Sequence, residues 1–154
     1  MTQLPVDSSL FFKLVRVVNL TARPFHDSVS KQHSLSLNEW RAMVVLASHP
    51  GVSATEVCEQ TGLDKMSVSR ALAGLEKQDR LHRTSDPADQ RKSLLTLSPA
   101  GRKLFARIGA QAQVREGQLF AGVGSEELVQ MNATLDKLVA ALRAEAVATD
   151  VESL

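Results

Sequence analysis

Cationic and hydroxyl-bearing side chains are concentrated in the middle of this 154-residue chain. Residues 61–107 carry ten basic and five acidic side chains, whereas the whole chain has a formal net charge of only +1. Lysine, arginine and serine side chains bond phosphate oxygens and the edges of nucleotide bases. A local basic segment attracts a polyanion over roughly 10 Å at physiological salt. The segment therefore indicates nucleic-acid binding, and the alternative that its charge alone leaves open is an ordinary solvated surface.

The basic segment begins with two predicted helices that a tight glycine turn joins. Ser53 and Glu56 form a capping box at the start of the first helix, because each side chain satisfies a free amide of the other residue. Gly62 permits the left-handed turn that ends this helix, and Asp64 caps the second helix. The second helix has one apolar face, formed by Val68, Ala71, Leu72 and Leu75. This order is typical of a helix-turn-helix.

A β-hairpin with a long polar tip is predicted next, because LHRT and SLLTL are strand-like and the intervening SDPADQRK is rich in turn formers. A helix-turn-helix followed by a charged hairpin is a winged helix, whose second helix fits a DNA major groove about 12 Å wide. We expect DNA contacts from Lys65, Ser67, Ser69, Arg70 and Lys77 on that helix. At the hairpin tip, Arg91 and Lys92 are expected to reach a minor groove, with Asp89 orienting the Arg91 guanidinium through a bidentate pair.

Helical periodicity also predicts the elements on either side of the winged helix. Residues 8–22 are predicted to form a helix. Pro24 either kinks one long helix or starts a second helical segment that runs to about Gln32. The run LSLNEWRAMVVLASHPG predicts a short helix that is capped by Asn38 and ends at Pro50-Gly51. Its predicted apolar residues are Trp40, Val44 and Leu46.

Two more helices are predicted after the hairpin. Ser98-Pro99 opens the first, which runs to about Leu119, and Ser125 opens the second. The last helix repeats apolar residues every three or four positions, at Leu128, Met131, Leu135, Leu138 and Leu142. This coiled-coil-like seam favours a second copy of the chain as partner, and packing within one subunit is the alternative.

Two stretches of the sequence resemble the MarR (multiple antibiotic resistance regulator) family of bacterial winged-helix regulators. The run DPADQRKSLLTLSPAG, positions 86–101, is similar to the family's wing, and TGLDKMSVSRALAGLEK, positions 61–77, is similar to its turn and recognition helix. The resemblance implies a mainly α fold with a small β-hairpin wing. It also implies a DNA-binding winged helix-turn-helix at residues 35–97, a dimerisation helix at residues 1–34 and further dimerisation helices at residues 98–154.

The resemblance assigns roles to individual residues. Arg91 matches the wing arginine that enters the minor groove, and Asp89 matches its orienting carboxylate. On the recognition helix, Ser67, Ser69 and Arg70 match positions that contact DNA. The resemblance implies a homodimeric transcription regulator that binds a pseudo-palindromic operator. It further implies a repressor that leaves the DNA when it binds a small aromatic or phenolic effector. The residues expected to line the effector pocket are Arg16, His26, His33, Trp40 and Arg41.

Three positions depart from the family pattern. Asp79 stands where the family often has glycine, and aspartate tolerates the left-handed backbone better than most residues. Arg80 stands where an apolar residue is common, so it either contacts a phosphate or is solvated. Pro24 inside the first helix leaves the geometry of the dimerisation arm open.

Other regulators of the same fold sense oxidants or metals. A redox role would require a reactive thiol, but Cys58 is the one cysteine of the chain and reads as a small core residue. A metal role would use His26 and His33, which need carboxylate support such as Asp27 or Glu39. A winged-helix module that binds only other proteins is a further alternative. We expect no cofactor and no metal.

The sequence argues against several other protein classes. It contains no phosphate-binding glycine loop, HExxH or GxSxG motif, so an enzyme is not expected. No apolar run approaches the roughly 18 residues of a membrane span. The first residues, MTQLPVDSSLFFKLVRVV, lack the order of a signal peptide, which predicts a cytoplasmic protein.

Overall fold

The computed structural model describes the backbone of residues 6–152 and the side chains of residues 6–147. The chain divides into two units, Met1–Ala110 and Gln111–Leu154. The expected dimerisation segments 1–34 and 98–154 extend outside the described residues at the two chain ends. The expected boundaries between the DNA-binding segment and the dimerisation helices, at residues 34 and 97, stay predictions.

The N-terminal arm of the first unit is helical through three consecutive segments. Helix α1 spans Leu10–Pro24, a π-helical turn spans Phe25–Ser30, and α2 spans Lys31–His33. Proline lacks an amide hydrogen and its ring crowds the preceding turn, so a regular α-helix cannot pass through Pro24 undisturbed. The wider π-helical turn takes up this disturbance, and the arm stays helical as far as α2.

Helix α3 spans Leu37–Ser48 and begins differently from the prediction. Ser36, not Asn38, is its N-cap, because the Ser36 hydroxyl accepts from the Glu39 amide while the Glu39 carboxylate accepts from the Ser36 amide. The prediction for Val44 was also wrong, because this residue is exposed. The buried face of α3 is formed instead by Glu39, Ala42, Met43, Val45 and Leu46.

The predicted helix-turn-helix is confirmed. Helix α4 spans Ala54–Thr61 behind the Ser53–Glu56 capping box, and Gly62 ends it with a φ of 70°. Helix α5 spans Lys65–Lys77, and the Asp64 carboxylate caps it. Its four predicted core residues, Val68, Ala71, Leu72 and Leu75, are all buried.

The predicted hairpin is confirmed as well. Strand β1 spans Leu81–Ser85 and pairs antiparallel with β2, Ser93–Leu97, in a register that sets Leu81 opposite Leu97. The Leu95 amide donates to the Val52 carbonyl (N···O 2.8 Å), which ties β2 to the segment before α4. The core joins α3, α4, α5 and the hairpin around Met43, Leu72, Leu75 and Leu95.

Two long helices follow the hairpin. Helix α6 spans Pro99–Phe120 and crosses from the first unit into the second, and α7 spans Ser125–Glu152. The Glu127 carboxylate accepts from the Gly124 amide at the start of α7. Within the described residues, no helix is both long and apolar enough to cross a membrane.

The start of α6 is packed directly against the end of the helix-turn-helix. Ser98 is buried, and its hydroxyl accepts from the Gly101 amide while donating to the Asp79 carbonyl (O···O 2.6 Å). A Cβ atom at Gly101 would collide with the carbonyl oxygen of Arg80. This glycine therefore allows the close approach that fixes α6 against the chain leaving α5.

We predict opposite effects for two glycine substitutions in α6. Gly101→Ala should lower the free energy of unfolding by about 1–3 kcal/mol, because the new methyl group meets backbone atoms that cannot move aside freely. A Cβ atom at Gly109 would meet no described residue within 4 Å outside its own helical turn, so Gly109→Ala should raise the free energy of unfolding by up to about 1 kcal/mol through helix propensity. Urea unfolding at one protein concentration measures both. Equal effects of the two variants would show that the contact at Gly101 is not tight.

Candidate nucleic-acid interface

The outward face of helix α5 is the first part of the candidate interface. Successive helical residues are rotated by about 100°, so the side opposite the buried face carries positions 66, 70, 73 and 77. These positions are occupied by Met66, Arg70, Ala73 and Lys77, and all four residues are exposed. Two other residues predicted to contact DNA, Lys65 and Ser69, are exposed at the edges of this face. Sequence reasoning selected polar residue types and so missed Met66 and Ala73, although their spacing from Arg70 placed them on the same face.

Ser67 is engaged in the structure of α5 itself. Its amide and its hydroxyl both donate to the Asp64 carboxylate, at 2.8 Å and 2.6 Å. These hydrogen bonds lower the pKa of the Asp64 carboxyl, because they stabilise its charged form. Ser67 is half-buried, so its predicted DNA contact has only the remaining lone pairs of the hydroxyl to use.

The hairpin tip is the second part, and its backbone is held by two aspartates. The Asp86 carboxylate accepts from the Ala88 amide at 2.9 Å, and the Asp89 carboxylate accepts from the Arg91 amide at 3.0 Å. The Lys92 amide donates to the Asp89 carbonyl, and the Asp86 amide donates to the Lys92 carbonyl. These bonds fix the positions from which the exposed side chains of Arg91 and Lys92 project.

The predicted role of Asp89 needs a correction. Within residues 6–147, no ion pair joins the Asp89 carboxylate to the Arg91 guanidinium. The Asp89 carboxylate instead accepts from the Arg91 amide and so forms an Asx turn. The short side chain of an aspartate is well placed to accept from the backbone amide two residues ahead. Asp89 therefore orients Arg91 through the backbone, which leaves the guanidinium free of Asp89.

An ion pair and a groove link the recognition helix to the hairpin. The Arg83 Nε atom of β1 lies 3.5 Å from the Glu76 carboxylate of α5, and both side chains are partly exposed. Beside this pair is a groove of about 320 Å³, lined by α4, α5 and β1. Two polar residues that sequence reasoning missed, Thr55 and Arg83, line it together with Lys65 and Ser69. The sequence did offer a signal for Arg83, because alternate residues of a strand share one face and β1 directly follows the charged helix α5.

Arg80 connects the recognition helix to the N-terminal arm. Its guanidinium donates to the carbonyls of His33 and Ser34, at 2.6 Å and 3.3 Å. The Gln78 amide side chain also donates to the Ser34 carbonyl, at 3.0 Å. The expectation that Arg80 is solvated or contacts a phosphate was wrong, because the guanidinium satisfies backbone carbonyls at the end of the arm. Asp79 takes the left-handed turn that was expected of it, with a φ of 54°.

The charge of the Arg80 guanidinium is partly buried. Burial lowers its pKa, and the negative charge of nearby Glu39 acts in the opposite direction. Glu39 is itself buried, and a Cβ atom at Gly74 of α5 would collide with the Glu39 carboxylate. The lack of a side chain at Gly74 therefore lets this carboxylate lie against the recognition helix.

The five predicted effector residues are in different surroundings. Arg16 is exposed on α1, with its guanidinium 4.0 Å from the Asp7 carboxylate, and His26 is exposed as well. Arg41 donates to the Asn38 side chain, and half-buried His33 supplies its carbonyl to Arg80. No hydrogen bond, ion pair or ring contact joins any two of these five side chains within residues 6–147.

Trp40 is the centre of an aromatic cluster. Its ring stacks on Phe105 with centroids 5.2 Å apart, and the Phe25 ring lies 6.5 Å away on a tilted plane. Phe105 also lines a cavity of about 500 Å³, together with Leu46, Ala47, Pro50, Thr96, Leu97 and Arg102. This volume lies in the range of small-molecule sites. The sequence carried no signal for this cavity, because its walls come from three separated elements.

The residues named for metal or redox sensing are not assembled into a site. Within the described part of the chain, no group of three or more histidine, cysteine, aspartate or glutamate residues could hold a metal ion. Cys58 is a free, half-buried cysteine packed against the core. Its surroundings match the core role that the sequence indicated.

Comparison with known proteins finds a likeness to one family. A model of the MarR family matches residues 33–92, which include the helix-turn-helix, β1 and the hairpin tip. Over this segment the chain is similar to the MarR family of regulators. The winged-helix fold expected from the resemblance is confirmed.

Individual proteins are similar to this chain in sequence or in fold. The homoprotocatechuate degradative operon repressor of Escherichia coli is 26% identical over 121 residues, which make up 77% of this chain and 80% of that repressor. A MarR/EmrR family regulator from Acinetobacter sp. ADP1 has a TM-score of 0.83 at 23% identity, covering 92% of this chain and 99% of that chain. CouR from Rhodococcus jostii RHA1 was solved with p-coumaroyl-CoA. It has a TM-score of 0.78 at 23% identity, and the match covers 89% of this chain and 96% of CouR.

We predict that Arg80→Met destabilises the protein by about 2 kcal/mol. The variant keeps an unbranched chain but removes the charged donors from the His33 and Ser34 carbonyls. Urea unfolding at fixed protein concentration measures the change. The matched control is Arg91→Met, which should change the free energy of unfolding by less than about 0.5 kcal/mol because Arg91 is exposed. Equal stability of the two variants would contradict the role given to Arg80.

Proposed function

We propose that this regulator binds double-stranded DNA through helix α5 and the hairpin tip. The observation that carries the proposal is that Arg70 and Lys77 are exposed on the outer face of α5, and that the antiparallel hairpin after this helix exposes Arg91 and Lys92 at its tip. A helix of this kind fits the major groove, and a guanidinium at a hairpin tip suits the narrower, more negative minor groove. The cations also bond the phosphates on either side.

We propose that the regulator is a homodimer on a pseudo-palindromic operator. Leu10 and Phe11 at the start of α1 are 77% and 75% exposed, and Leu142 of α7 is 64% exposed. Water-exposed apolar residues repeated along helices favour burial against a partner. A second copy supplies identical faces and the two-fold symmetry that matches inverted half-sites. The two copies of α5 then enter successive major grooves, about 34 Å apart. The segments 1–34 and 98–154 provide the dimer contacts in this proposal.

A small aromatic or phenolic acid is the proposed effector, and its binding releases the repressor from DNA. Support for the phenolic ring comes from CouR, which was solved with p-coumaroyl-CoA, the thioester of a phenolic acid. In this chain, Trp40 offers a ring for stacking, and the cationic side chains of Arg16, Arg41 and Arg102 offer partners for a carboxylate. We place the regulator in the bacterial cytoplasm, at the nucleoid where its operator lies.

The first functional prediction concerns the hairpin tip. Arg91→Ala should weaken binding to the preferred duplex about tenfold, because one groove contact contributes on the order of 1–3 kcal/mol. Fluorescence anisotropy titration measures the affinity.

Two outcomes would count against this proposal. Unchanged affinity of Arg91→Ala would remove the hairpin tip from the interface. A protein-interaction module would show little dependence of its binding on salt, whereas phosphate neutralisation predicts an affinity that falls steeply as salt rises.

The second functional prediction separates base reading from phosphate binding. Ser69→Ala and Arg70→Ala should change the preferred DNA sequence, because both residues lie on the helix that faces the base edges. Lys92→Ala should lower the affinity without changing the preference. Selection of bound duplexes from a random pool with each variant is the measurement. Identical selected sites for all three variants would contradict the orientation proposed for α5.

A further inference from the structure

Met66 is an exposed apolar residue in a part of the fold that buries most of its large apolar side chains. All residues from 35 to 97 are described, and within that range Val44 and Met66 are the exposed large apolar side chains, at 39% and 62%. Met66 lies in the first turn of α5, directly after Lys65 at its N-terminus. Its side chain is on the outward face, away from buried Val68 and Leu72. Packing within the chain therefore does not account for a large apolar residue at this position.

The neighbours of Met66 on this face are polar and suited to reading DNA. Ser69 and Arg70 follow it by three and four positions, so all three side chains lie next to one another on the helix surface. Recognition helices contact base edges mainly through their N-terminal residues. In the major groove, the apolar group that a base offers is the C5-methyl group of thymine, whereas guanine offers two acceptors to an arginine.

We propose that Met66 recognises a thymine through its C5-methyl group, next to a guanine that Arg70 binds. The inference rests on the proposed DNA binding and adds a determinant of its sequence preference. Side chains four positions apart on a helix are about 5–6 Å apart at Cβ, and base pairs are stacked about 3.4 Å apart. Each operator half-site therefore carries a thymine within about two base pairs of a guanine. The thioether and terminal methyl of Met66 adapt to the methyl group without requiring a hydrogen bond.

The test removes one methyl group from the DNA. The preferred duplex is first selected from a random pool with the full-length protein, and each half-site thymine is then replaced in turn by deoxyuridine, which lacks only the C5-methyl group. At one position, the wild-type affinity should fall about fourfold, the factor that corresponds to ~0.8 kcal/mol for burial of one methyl group. A thymine outside the selected binding site is the DNA control, and its replacement should not change the affinity.

Two variants complete the test. Met66→Ala should bind the thymine and deoxyuridine duplexes with equal affinity, because the contact to the methyl group is gone. Met66→Leu keeps an apolar side chain of similar size and should retain the preference for thymine. Because Met66 is exposed, both variants should keep the wild-type thermal midpoint.

The outcomes distinguish this inference from the proposed function. A protein that binds no duplex at all would overturn the proposed DNA binding. A protein that binds DNA but tolerates deoxyuridine at every half-site position would overturn only the assignment of Met66. Full discrimination between thymine and deoxyuridine by Met66→Ala would also overturn it, because another residue would then recognise the methyl group.

Discussion

The hydrogen bonds from the Arg80 guanidinium to the carbonyls of His33 and Ser34 hold the reading elements in place. Arg80 follows the recognition helix by three residues, and its own carbonyl accepts from the Ser98 amide at the start of α6. One residue thus joins the end of the N-terminal arm, the exit of α5 and the start of α6. A guanidinium suits this position because its several donors satisfy carbonyls that helix ends leave without partners. These bonds add to the core packing of Leu72 and Leu75 in fixing the orientation of α5 and of the hairpin that follows it.

Local signals predicted most of the fold, whereas contacts between distant segments escaped prediction. The caps at Ser53 and Asp64 and the apolar face of α5 were identified because their partners lie within four residues in the sequence. The role of Arg80 could not be identified in this way, because its acceptors lie 46 and 47 positions away. One local signal was overlooked as well, because Ser36 and Glu39 have the same spacing as the Ser53–Glu56 capping box, and yet Asn38 was predicted as the cap. The ion pair expected of Asp89 was wrong because a backbone amide competes for the same carboxylate.

The candidate interface combines residues that hold the backbone with residues that are free to contact DNA. Asp64, Ser67 and Asp89 use their side chains within the chain, so they fix where α5 begins and how the hairpin tip is shaped. Arg70 and Arg91 are exposed on the elements that these bonds fix. This division fixes the backbone from which the long cationic side chains project. Under the proposed function, a few contacting residues on a backbone ordered before binding lower the cost of binding DNA, provided that the two copies are held at a fixed spacing.

The pattern of guanine N7 protection on the selected duplex tests the central claim most directly. Dimethyl sulfate methylates N7 in the major groove, so a recognition helix lying there blocks the reaction at the guanines it covers. Two protected patches are expected, one for each copy of α5, with centres about 10 base pairs apart. Full reactivity of every N7 atom in the bound complex, or a single protected patch, would contradict a symmetric pair of recognition helices in the major groove.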